Sequence, residues 1–238
     1  MSGHSKWSTI KHKKAILDSK RGKAFTKLIK EITVAARLGG GDVNANPRLR
    51  TLMEKAKSIN MPIDNATRAI KKGTGELPGM SYEQYMYEGY GPSGIAVIVE
   101  ILTDNKNRSV ADLRHAFSSK GGNLAENGAV SWMFEKMGVI KIKADKITED
   151  ELLEKLFDFD ISDISKGEDI FFITCNIKSI EAIKEELTKL GLQILSSEIE
   201  WTPKTTMNLE NQDSEKAYEF LEFIEDLDDV QNVYTNLG

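Results

Sequence analysis

Apolar residues recur with helical spacing in the first third of the chain and with strand-like spacing after it. At about 100° per residue, Phe25, Leu28, Ile29, Ile32 and Ala36 share one arc of about a quarter-turn, which predicts a helix over roughly 18–38. Gly39-Gly40-Gly41 stops it. A second helix starts at Asn46-Pro47, with Asn as N-cap and Pro in the first turn, and carries Leu49, Leu52, Met53, Ala56 and Ile59 on one stripe. Asn60-Met61-Pro62 breaks the chain. A third helix, opening near Asp64 or Asn65, turns Ala66, Ala69 and Ile70 inward and ends at Gly73. These helices are expected to form one domain, 1–78, behind an N-terminal tail without periodicity that a partner would order.

From Met80 onward the pattern predicts a strand over 82–90, a turn at Gly91-Pro92-Ser93-Gly94 and a buried strand over 95–102. A helix burying Val110, Leu113 and Phe117 follows, then a strand over 130–134. The next stretch reads β-α-β-β-α-β. Its strands fall at 138–143, 159–164, 169–177 and 192–201, and its first helix opens on a capping box of Thr148 and Glu151. Beyond Pro203, a strand over 205–209, a helix over 214–226 and a strand over 230–234 complete the earlier β-β-α-β. The expected fold is α+β: an N-terminal three-helix domain followed by two ferredoxin-like α/β domains. The one at 137–201 is inserted in the other, which comprises 79–136 plus 202–238.

Charge changes the picture. The net charge of −5 hides an asymmetry: residues 1–75 hold 17 Lys/Arg and 5 Asp/Glu, whereas the remainder holds 15 and 32. On the first helix, Lys20, Lys23, Lys27, Lys30 and Arg37 line the side opposite the apolar arc, with Arg21 beside them. Arg68, Lys71 and Lys72 crowd the end of the third helix. In the tail, Lys6, Lys11, Lys13 and Lys14 surround Trp7 and His12. Ammonium groups pair with phosphate, and an indole stacks on an unpaired base. The candidate nucleic-acid-binding set is therefore Lys6, Trp7, Lys11, His12, Lys13, Lys14, Lys20, Arg21, Lys23, Lys27, Lys30, Lys71 and Lys72. Few Asn or Gln stand where they would read bases, so binding by shape and phosphate is expected, which suits folded RNA at least as well as duplex DNA. Two blander uses remain open: the basic region neutralises the acidic one within the molecule, or Trp7 plugs the helical core.

Catalytic grammar is sparse. The chain lacks G-x-x-x-x-G-K-[ST], H-E-x-x-H, G-x-S-x-G and C-x-x-C. Gly89 to Gly94 matches G-x-G-x-x-G, but a strand follows it where a dinucleotide site needs a helix, so it reads as a hairpin turn. The single cysteine, Cys175, lies in an apolar run and reads as a small buried hydrophobe. Neither Asp158, Asp160 and Asp163 nor Glu225, Asp226, Asp228 and Asp229 follow calcium-loop spacing, and both groups read as solvated faces. No apolar run reaches the ~18 residues of a membrane span, and no secretory signal is evident. A cytoplasmic, non-enzymatic monomer without cofactor or metal is expected.

The chain resembles the YebC family, whose mitochondrial relative is the translational activator of cytochrome c oxidase. The resemblance spans essentially the whole sequence. It is densest at Gly3-His4-Ser5-Lys6-Trp7, Ile10-Lys11-His12-Lys13-Lys14, Asn60-Met61-Pro62, Ala69-Ile70-Lys71-Lys72-Gly73, Tyr87-Glu88-Gly89-Tyr90-Gly91-Pro92 and Thr103-Asp104-Asn105-Lys106-Asn107-Arg108. Ser109 and Ala129, where the family leads one to expect Thr and Ser, are mild departures. The resemblance implies three domains and a cytoplasmic, non-enzymatic factor. It implies either a DNA-binding transcriptional regulator or a translation factor that acts on the ribosome, through ribosomal RNA or tRNA, and relieves stalling at proline-rich stretches.

Overall fold

The computed structural model describes residues 21–238, with only the backbone of Arg21. The helical spacing becomes α1 (Arg21–Gly39), α2 (Pro47–Ser58) and α3 (Ile63–Gly73). Asn46 caps α2 by accepting from the Leu49 N–H at 3.1 Å. Its amide also donates to the carbonyls of Ala35 at 2.9 Å and Gly40 at 2.8 Å, so the cap ties the start of α2 to the end of α1. Leu28, Ile32, Leu49, Leu52, Ala66 and Ala69 form the core between them. Gly73 lets α3 cross α1 at backbone contact: a Cβ there would lie 2.4 Å from the Thr33 carbonyl oxygen and 2.8 Å from the Ala36 Cβ.

The chain continues through β1 (Glu83–Tyr90), β2 (Ala96–Thr103), α4 (Lys106–Ser119), β3 (Asn123–Ala125), β4 (Phe134–Lys143) and α5 (Glu149–Lys155). It closes with β5 (Ile161–Lys166), β6 (Ile170–Cys175), α6 (Ile180–Lys189), β7 (Ile194–Pro203), α7 (Asn211–Glu225) and β8 (Val230–Thr235). The first sheet has the order β3-β1-β2-β8 and is antiparallel throughout. Helices α4 and α7 cover one of its faces, where Phe117 and Phe220 meet edge to face at 5.0 Å over Val97, Val99 and Ile101. Ala96 and Ile98 point to the other face and pack with Val130 and Phe134. Burial on both faces explains why β2 reads as an apolar run interrupted only at Glu100.

The second sheet has the order β5-β6-β4-β7, the ferredoxin-like arrangement of a β-α-β-β-α-β chain. Its first helix opens on the expected Thr148–Glu151 capping box. Cys175 is fully buried in its core, and burial pushes the thiol up to about 11. The fold is thus α+β, a helical region followed by two sheets with helices.

Two expected strands differ. The apolar stretch at 130–134 is a single tight turn (Ser131–Met133) leading into β4, because Val130 and Phe134 fill the seam beneath the first sheet. The segment at 205–209 keeps one bridge, Met207 to Leu237, and α7 with β8 completes the first sheet. The G-x-G-x-x-G stretch is a hairpin, with Tyr90 opposite Ala96.

Candidate nucleic-acid interface

A helix leaves its last carbonyls without intrahelical partners and carries partial negative charge there. Helix α7 ends at Glu225, and Asp226, Asp228 and Asp229 add carboxylates just beyond. The basic side of α1 docks on this end. Lys27 Nζ donates to the Glu225 carbonyl at 2.7 Å and Lys23 Nζ to the Asp226 carbonyl at 2.9 Å. Lys30 Nζ donates to the Asp228 carbonyl at 3.0 Å and to Asp229 Oδ1 at 2.7 Å, and its side chain is buried. Burial takes Lys30 out of the expected phosphate-binding stripe, whereas Lys27 is half-buried and Lys23 stays exposed while each donates to a backbone carbonyl of α7's end. Of the acidic group read as a solvated face, Asp226 and Asp228 are exposed as expected, whereas Asp229 is buried at this junction. Helix α1 is flanked by protein on two sides, by α3 across Ala36 and by the end of α7 across Lys30.

Asp229 is the hub of this junction. Besides Lys30, its carboxylate receives Arg108 Nη2 at 2.8 Å, Ser109 Oγ at 2.6 Å and Thr103 Oγ1 at 3.0 Å. Arg108 also pairs with Asp104 at 2.8 Å, and Asn105 caps α4 by accepting from the Arg108 N–H. The polar stretch from Thr103 to Arg108 therefore builds this network. Burial alone would push the Asp229 carboxyl up, but hydrogen bonds from Arg108, Lys30 and Ser109 outweigh it and hold it well below the usual carboxylate range. A cleft of about 730 Å³ opens beside it, lined by side chains of both signs. Ser109 is one of four side chains that donate to the Asp229 carboxylate, together with Lys30, Arg108 and Thr103. Among the described residues no group of His, Cys, Asp and Glu is arranged to hold a metal ion.

Unpaired positive charge lies elsewhere. On α3, Arg68, Lys71 and Lys72 are exposed and share an arc of about 100° opposite the buried Ala66 and Ala69. None has an ion-pair partner among the described residues. Arg48 and Lys57 on α2 are exposed as well. Lys55 instead bonds Glu198 of β7 at 2.8 Å, and Arg37 bonds Ser81 Oγ at 2.6 Å. Lys71 and Lys72 thus stand where the sequence placed them, on an open helix face, joined there by Arg68. Lys6, Trp7, Lys11, His12, Lys13, Lys14 and Lys20 lie outside the described residues, as does the Arg21 side chain. His115 is exposed on α4. Sequence reading missed the Asp229 network. The available signal was the pairing of a dense acidic run with the Thr103–Arg108 stretch.

Comparison with known proteins places this arrangement. A family described as the TACO1/YebC protein N-terminal domain matches residues 5–76, and one described as the TACO1/YebC second and third domain matches residues 82–237. A protein of Desulfosudis oleivorans named "probable transcriptional regulatory protein" is 50% identical over 236 residues, covering 99% of this chain and 96% of its own. A probable transcriptional regulatory protein of Chlorobaculum tepidum is 48% identical over 238 residues, 100% of this chain and 95% of its own. The crystal structure of a conserved hypothetical protein from Aquifex aeolicus superposes with a TM-score of 0.85 at 45% identity, covering 94% of this chain and 93% of that one.

Proposed function

Because the chain belongs to the TACO1/YebC family, we propose that it is a non-enzymatic, nucleic-acid-binding regulatory factor whose target is folded RNA of the ribosome. It works in the cytoplasm as a monomer. It positions tRNA or the nascent chain near the catalytic centre of the ribosome, and so relieves stalling at proline-rich stretches.

The observation that carries the RNA-binding reading is the open cationic face of α3. Among the described residues Arg68, Lys71 and Lys72 have no ion-pair partner, whereas Lys23, Lys27 and Lys30 of α1 are turned onto the acidic end of α7. Charge left free in a chain with a net of −5 has a use beyond internal neutralisation. By their chemistry, the tail lysines and Trp7 add further phosphate pairing and a stacking ring. Three cations on one helix face contact phosphates and carry no base code. Among the described residues no helix is long and apolar enough to cross a membrane.

The test is co-sedimentation with ribosomes. Arg68→Glu/Lys71→Glu/Lys72→Glu should lose most ribosome association while unfolding at the wild-type temperature, and normal sedimentation would sink the proposal. The names of the relatives favour a second reading, a DNA-binding transcriptional regulator using the same surface. A footprint on particular promoters that survives competitor RNA would select it.

A further inference from the structure

Glu88 is a buried carboxylate in the second half of β1, and among the described residues it forms no ion pair. Its oxygens instead accept three backbone N–H groups, from Gly128, Val130 and Ser131, each at 2.8 Å. Burial pushes this carboxyl up, and those three bonds bring it below its ordinary value. The carboxylate therefore clamps the 126–131 loop, whose turn uses Gly128 at a φ of +89°.

The clamped loop presents a large aromatic. Trp132 is 67% exposed although its indole N–H is satisfied by the Ala129 carbonyl at 3.1 Å. The hydroxyl of Tyr90, itself 38% exposed, donates to the same carbonyl at 3.1 Å. Both rings are thus pinned by their polar edges. Lys204 Nζ bonds the Trp132 carbonyl at 2.9 Å, and the Lys204 N–H bonds the Met133 carbonyl at 2.9 Å. An ammonium has three donors, so this anchored cation keeps two for another partner.

We propose that Trp132, held by the Glu88-clamped loop with Tyr90 and Lys204, is a stacking platform for an unpaired nucleobase of an RNA strand. The inference rests on the RNA-binding reading above and names a second contact for it. A nucleobase needs only a ring face, with a cation nearby for its phosphate. A proline-rich peptide also docks on aromatic rings, but its carbonyls call for donors on those rings, and here the indole N–H and the phenol O–H are both committed, which leaves Lys204 as a single cation better suited to one phosphate. A second copy of the chain would call for a broad apolar patch, whereas the neighbours Glu126, Asn127, Glu135 and Lys136 are exposed and polar. Their mixed signs leave this site to contribute stacking, with phosphate attraction supplied by α3 and the tail.

The test compares the affinities of a single-stranded oligouridine and an RNA duplex of equal length for the wild-type chain, Trp132→Ala and Trp132→Phe. Trp132→Ala should bind the single strand about tenfold more weakly, with duplex affinity and the salt dependence of binding unchanged. Trp132→Phe should keep most of the affinity. All three should unfold at the same temperature, because the side chain is exposed. Wild-type affinity of Trp132→Ala for the single strand would overturn this assignment alone. So would a loss of oligoproline binding or of self-association without a change in RNA affinity. A wild-type chain that binds neither RNA form would overturn the RNA reading as a whole.

Discussion

Lys30 and Asp229 show how a residue's role depends on what the fold brings to it. Lys30 sits on the basic arc of α1 in the sequence, yet its side chain is only 9% exposed and meets a carboxylate that is 11% exposed. Breaking such a pair leaves a buried charge behind. Lys30→Met should lower the unfolding free energy by about 3 kcal/mol, the low end for a broken buried pair, because Arg108, Ser109 and Thr103 still reach Asp229. Urea denaturation at neutral pH measures it. The pH dependence has a definite sign. A carboxyl held below its usual range adds stability that is complete above the unfolded-state pKa of about 3.9 and is lost as pH falls below it toward the folded value. The urea midpoint of the wild-type chain should therefore drop more steeply with acid, below about pH 5, than that of Asp229→Asn, with the two curves converging at low pH. Parallel curves would remove Asp229 from the hub.

Elements were legible wherever their determinants are local. The Asn46 cap, the Thr148–Glu151 box and the stripe of α2 are set by residues a few positions apart, and all three form as their spacing predicts. The stretch at 130–134 was not legible, because Val130 and Phe134 are apolar for the sake of the seam under the first sheet and not of a strand. The partner of α1 was equally hidden: Lys27 and the carbonyl it caps are separated by 198 residues. The spacing of the lysines therefore showed a charged face without showing what would cover it. The orientation of α3 depends on its contact with α1. Gly73→Ala places a methyl against the Thr33 carbonyl and the Ala36 side chain, so the helices must separate. A loss of about 1–3 kcal/mol in stability is expected, with weaker RNA binding as the Arg68–Lys72 face shifts. Thermal unfolding and RNA affinity measured on the same preparation check both parts.

At the scale of the molecule, part of the charge asymmetry is spent internally and part is left over. The basic helical region is fastened to the first sheet's layer through Lys23, Lys27 and Lys30, to the linker through Arg37, and to the second sheet through Lys55. The cations left without partners among the described residues include Arg68, Lys71 and Lys72, together with Arg48 and Lys57. Internal neutralisation, one of the uses weighed from the sequence, occurs at α1, which meets the acidic end of α7, whereas α3 turns outward the cationic face that we propose for RNA. The salt dependence of binding to a structured ribosomal RNA fragment tests this division most directly. Each phosphate contact contributes roughly 0.7–0.9 to the slope of log K against log salt. Arg68→Glu/Lys71→Glu/Lys72→Glu should reduce that slope by about 2–3 relative to the wild-type chain, at unchanged stability. A slope identical to wild type would contradict the assignment of the α3 face to RNA.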